Sequence, residues 1–157
     1  MSDIKKETIH LADLYPTMQK VIEAGGEFLF YPSGRSMLPT IKPGRDGVLL
    51  QRASKPSARD LLLYRRKDGS FVLHRLVRIE KNGSLVMRGD AQYIDEKGIL
   101  PEQIVGRVCA IVRNEKQIRT DSPAFRLRAC VREISYPLRR FVHRLKGKIS
   151  RTVRRKK

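Results

Sequence analysis

Phe71-Val72-Leu73-His74-Arg75-Leu76-Val77-Arg78-Ile79, a turn at Lys81-Asn82-Gly83, and the returning Leu85-Val86-Met87 read as a β-hairpin, and the chain around them repeats the pattern. Short apolar runs too brief for helices, broken by glycine-bearing turns, are the mark of strands. Working outward, strands are expected at 28–31, 48–51, 61–64 and 104–112, with turns at Lys42-Pro43-Gly44 and Lys67-Asp68-Gly69. Residues 27–120 are therefore read as one mostly antiparallel β domain. Upstream, Leu11, Leu14, Met18, Val21 and Ile22 are spaced for one helical face over 8–24, and Gly25-Gly26 stands where a helix end favours positive φ. Pro16 suggests that the regular part of this helix begins near it, within a helical segment spanning 1–26. Downstream, Ser122 and Pro123 suit a helix start. From there Leu127, Val131, Ile134, Leu138, Phe141, Leu145 and Ile149 recur every three or four residues among arginines and lysines. Pro137 is expected to kink or split this basic tail over 121–157.

With 157 residues, 40% of them apolar, the chain has material for one domain with a real core and appendages. The net charge of +18 is uneven. The stretch before Phe30 is slightly acidic, and the excess of cations gathers after Ser122. Two cysteines, Cys109 and Cys130, are too few for a disulfide framework and are read as reduced thiols. No run of about 18 apolar residues is present, and 1–10 lacks the apolar core of a secretory signal. A cytoplasmic protein is expected, soluble or peripheral at a membrane. No cofactor and no metal is called for.

The chemistry-bearing residues come in order. Ser36 lies in an expected loop, in Ser33-Gly34-Arg35-Ser36-Met37-Leu38-Pro39-Thr40. A nucleophilic serine needs a stiff loop that exposes its oxygen and leaves N–H groups free for an oxyanion. Gly34 permits close approach of a carbonyl and Pro39 stiffens the far side. His74 stands inside the most apolar strand, where alternation places Val72, His74 and Leu76 on one face and Arg75 on the other. It is either a satisfied core histidine or a general base kept neutral by burial. If its pKa is unperturbed, activity should fall below pH ~6.5. An acid to orient it is available in Asp90, which the hairpin returns beside the His74 strand, or in Asp95 or Glu96. Asp90 can equally be a carboxylate that binds backbone N–H groups in a turn.

Taken together these blocks resemble the type I signal peptidase superfamily of serine peptidases, which shares its fold with the self-cleaving SOS repressors. The resemblance rests on Gly34 to Thr40, Lys42 to Val48, Arg59 to Tyr64, Val72 to Val77, Arg88-Gly89-Asp90, and Ile104 to Val108, in family order over residues 25–120. It implies a mainly β catalytic fold, a Ser36 nucleophile, an oxyanion hole from the N–H groups of Ser36 and Gly34, and an extended substrate with small residues before the cut. Most bacterial members use a lysine base. The endoplasmic reticulum type and some bacterial relatives place a histidine in the block that looks like Leu73-His74-Arg75, so this chain resembles the Ser/His kind. It departs from the family in reading Gly89-Asp90-Ala91 for Gly-Asp-Asn, and Asp95-Glu96-Lys97 for the later acidic motif. It also lacks a spanning segment.

Two rival readings remain. A DNA-binding, self-cleaving repressor needs a helix-turn-helix domain, and the residues before Glu27 are too few for one. A peptidase-like module without activity would act through the tail, where Arg139 to Lys146 and Arg154 to Lys157 suit an anionic membrane surface. Nucleic acid is the less favoured partner, since aromatic stacking residues are scarce.

Overall fold

The structure is a computed structural model, and it describes residues 11–144. The parts of the expected first helix before Leu11 and of the basic tail beyond Arg144 lie outside the described residues. Two compact units divide the chain at 120/121.

In the first unit, eight strands form one antiparallel sheet: β1 Phe28–Phe30, β2 Gly47–Gln51, β3 Leu61–Arg65, β4 Phe71–Ile79, β5 Leu85–Arg88, β6 Glu96–Ile99, β7 Ile104–Arg113 and β8 Lys116–Arg119. The order across the sheet is β1-β2-β7-β3-β4-β5-β6. β7 is long enough to serve three partners. Along one edge it pairs with β2 from Gly47↔Val112 to Gln51↔Arg107. Along the other it holds β3 through Leu62↔Arg107 and Leu63↔Gly106, and β8 through Ala110↔Arg119 to Arg113↔Lys116. β6 and β8 were not foreseen. Their sequences, Glu96-Lys97-Gly98-Ile99 and Lys116-Gln117-Ile118-Arg119, are short and polar, as outer strands tend to be.

The sheet core on one face gathers Leu62 and Tyr64 of β3, Leu76 of β4, Leu85 and Met87 of β5, and Ile99 of β6, all buried. That is the alternation expected from the hairpin, since Leu62 lies opposite His74 and Leu76 opposite Met87. Helix α1, Leu11–Glu23, buries Met18 and Ile22, and Gly25 ends it with φ 81°. It runs through Pro16 rather than starting there. The missing N–H removes one bond in the second turn, which burial of Met18 and Ile22 and the tilted contact of Tyr15 with Phe71 (ring centroids 5.0 Å apart) offset. Both cysteines are free thiols, and burial, then the Glu27 carboxylate, pushes Cys109 up to about 11.

The second unit holds α2, Pro123–Ile134, whose cap is Ser122 Oγ accepting from Phe125 N–H at 3.4 Å. Helix resumes over 136–144 after a break at Ser135, two residues before Pro137. Among the described residues, no helix is long and apolar enough to cross a membrane.

Candidate active site

Ser36 is carried by the loop between β1 and β2. The loop is pinned at both ends by buried charge. Asp46, fully buried, accepts from Arg113 of β7 at 2.7 and 3.0 Å, from Arg45 at 2.7 Å and from the Lys42 N–H at 2.9 Å. Burial alone would push its carboxyl up, but the guanidiniums of Arg113 and Arg45 and the Lys42 N–H hold it well below the usual carboxylate range. Arg113 also donates to the Thr40 carbonyl at 3.1 Å. From the other side, Thr40 Oγ1 donates to Asp90. Met37 and Ile41 point inward, while Gly34 and Arg35 remain exposed.

Ser36 itself is half-buried against the end of β5. Its carbonyl accepts the Ala91 N–H at 2.8 Å. A Cβ at Gly89 would lie 2.7 Å from that carbonyl oxygen and 3.0 Å from Ser36 Cβ. Glycine is thus required at 89 for closeness, not for backbone freedom. The register supplies the consequence. Arg75 pairs with Arg88, so carrying the ladder one residue further puts Gly89 opposite His74, on the same face. Ser36 therefore sits over the bare backbone next to the imidazole. Gly89→Ala should cost about 1–3 kcal/mol as forced overpacking against backbone, read as a lowered melting temperature. The sequence named Gly89 only within a block, and nothing in its spacing told that its missing side chain makes room for the serine.

His74 is buried between strands, as alternation required, and its Nδ1 lies 3.1 Å from the Tyr64 hydroxyl. Tyr64 O–H donates to Glu96 Oε2 at 2.7 Å, and Glu96 Oε2 is 3.9 Å from Nδ1. Arg66 closes the line with two bonds to Glu96, at 2.7 and 2.6 Å. Burial first, then the Glu96 carboxylate, raises the Tyr64 phenol above its ordinary value, so it keeps its proton. The Arg66 hydrogen bonds hold the Glu96 carboxyl below its ordinary value against partial burial, so it stays ionised. With the single phenolic proton committed to Glu96, His74 Nδ1 must be the donor to Tyr64, and Nε2 is left as an acceptor. Burial lowers the His74 pKa to about 4; Glu96 works against that shift and Arg66 with it. The ordinary value of 6.5 used for the sequence expectation therefore does not apply.

Neither a protein-family model nor a curated protein matches this chain.

The three carboxylates named from the sequence separate. Asp90 is bound to Arg75, at 2.8 and 2.7 Å, and to Thr40, while Arg75 also donates to the Arg59 carbonyl at 2.9 Å. These bonds mark it as a structural anion buried with its cation, and its charge also favours the protonated imidazole of His74. Asp95 pairs with Arg88 at 2.9 Å and Arg78 at 3.6 Å. Glu96 is the acid that reaches His74, through Tyr64. The tyrosine was missed because Leu61-Leu62-Leu63-Tyr64 reads as plain core. Its place two residues from Leu62, the partner of His74, was the available signal.

Among the described residues, the N–H groups of Ser36 and Gly34 enter no hydrogen bond, and none joins Ser36 Oγ to His74. Serine and imidazole share a face and a neighbour, Gly89, without being bonded.

Proposed function

We propose that the chain is a serine endopeptidase, that its sheet is the catalytic β fold of the signal peptidase type, and that it cuts an extended peptide after small residues. The observation that carries this reading is the Glu96–Tyr64–His74 line, which leaves Nε2 as the accepting nitrogen on the face where Ser36 sits over Gly89. Motif order along the chain supports it.

In the mechanism, Ser36 Oγ attacks the peptide carbonyl as its proton passes to His74 Nε2. The N–H groups of Ser36 and Gly34 hold the oxyanion. The imidazolium, stabilised through Tyr64 by the Glu96 carboxylate, returns the proton to the leaving amine, whose bond to the carbonyl carbon breaks. Water then attacks the acyl-enzyme, with Nε2 again the base, and frees Ser36. Tyr64 does for this imidazole what a directly bonded carboxylate does in a triad: it fixes tautomer and orientation.

A fluorophosphonate that acylation-type serines accept tests the reading without a known substrate. Labelling is expected at Ser36, mapped by mass spectrometry, and is lost in His74→Ala. The pH dependence carries the sign. A base with a folded pKa of about 4 stays unprotonated at pH ~5.5, so the labelling rate there should be within about twofold of that at pH ~7.5. An unperturbed histidine would leave about a tenth at the lower pH, and a lysine base would show a rise only above pH ~8. Equal labelling of Ser36 in wild type and His74→Ala would overturn the assignment.

A further inference from the structure

The peptidase reading makes no use of the second unit, which among the described residues carries a run of exposed large apolar side chains. Leu127, Val131 and Ile134 of α2, then Leu138 and Phe141 of the stretch over 136–144, are exposed, Leu138 and Phe141 at 66% and 60%. At about 100° per residue they fall on one stripe. Arg128 lies on one flank of it, and Arg126 and Arg144 on the other, all exposed and each about 100° away. Residues 123–144 are rich in arginine and contain a single carboxylate, Glu133.

We propose that this helical unit docks in the plane of an anionic lipid bilayer, with the stripe in the acyl boundary and the flanking arginines at the lipid phosphates. Charge complementarity selects this occupant. An apolar stripe of this width needs a hydrophobic phase, and its arginine borders need anions at the edge of that phase. The surface of a bilayer rich in anionic headgroups offers both at the right depth. A second copy of the chain offers the apolar phase but sets arginine against arginine along both borders. A duplex offers the phosphates but leaves Leu127, Val131, Ile134, Leu138 and Phe141 in water. The arginine stems are long enough to lie along the stripe while their heads stay wet. No spanning helix is needed, and among the described residues none is present.

The test is sedimentation of the full chain with sucrose-loaded vesicles of phosphatidylglycerol and phosphatidylcholine, against vesicles of phosphatidylcholine alone. Binding to the mixed vesicles should exceed binding to the neutral ones by at least about tenfold. Leu138→Asp with Phe141→Asp, both at exposed sites, should lower partitioning by about a hundredfold with an unchanged melting temperature of the protein. Arg128→Glu with Arg144→Glu should lower it by at least about thirtyfold. Equal binding to both vesicle types, or partitioning indifferent to the double aspartate variant, would overturn the proposal. So would self-association in light scattering that the aspartates abolish, or tight binding of a duplex oligonucleotide that they leave intact while vesicles are ignored.

Discussion

Ser36→Ala is expected to abolish turnover of any peptide the wild-type protein cleaves, a loss on the order of a million-fold when a nucleophile of this kind is removed, and to leave stability within about 0.5 kcal/mol of wild type. Both halves follow from how the residue is held. Its carbonyl keeps the Ala91 N–H, and its Cβ keeps its place over Gly89, because alanine retains every atom but Oγ. Among the described residues the hydroxyl enters no hydrogen bond, so nothing is orphaned by its removal. His74→Ala should lose nearly as much activity but is the less clean variant, since it opens a cavity in the core and takes away the group that bonds Tyr64. The decisive measurement is release of a new N-terminus from a cleaved peptide, with unfolding followed in parallel. Retained turnover in Ser36→Ala, with the fold intact, would rule out the serine.

The largest effect on stability belongs to Asp90→Ala, which should cost about 3–5 kcal/mol and lower the melting temperature by roughly 10 °C. Arg75 and Asp90 are buried to 9% and 3% side-chain exposure and are joined by two parallel bonds. Removing the carboxylate takes two charge-assisted bonds from a buried guanidinium that also donates to the Arg59 carbonyl, and it cuts the Thr40 tie that secures the serine loop. Burying two charges is itself expensive, so the double replacement Arg75→Met with Asp90→Leu should recover much of the loss. An acid that served only to orient His74 would behave differently, impairing turnover at unchanged stability. Denaturant unfolding distinguishes the two, and a cost below about 1 kcal/mol for Asp90→Ala would contradict its role as a structural anion.

The hairpin of β4 and β5, the run of β3 and the length of β7 were legible because burial on one face imposes alternation, and glycine marks the turns. β6 and β8 were not, since Glu96-Lys97-Gly98-Ile99 and Lys116-Gln117-Ile118-Arg119 carry one inward apolar residue each and look like loop. The serine and histidine were legible as residue types in suitable settings. The acid that reaches the imidazole was not, because three acids within a few positions are equivalent in sequence. Only the curl of the sheet, which brings Arg66 after β3 against Glu96 of β6 although two strands lie between them in order, decides among them. The depressed His74 pKa was hidden for the same reason: burial is a property of the assembled sheet.

Besides the three-residue β1, β2 has only one neighbour, and that neighbour is made some sixty residues later: Gly47 waits for Val112, and Asp46 for Arg113. During synthesis the hairpins downstream can close locally, whereas the segment that carries Ser36 lacks its β7 partner and its Arg113 anchor until position 113 has left the ribosome. A nascent or truncated chain would hold Ser36 without that scaffold, so topology sets the loop in its final place only when assembly is almost finished.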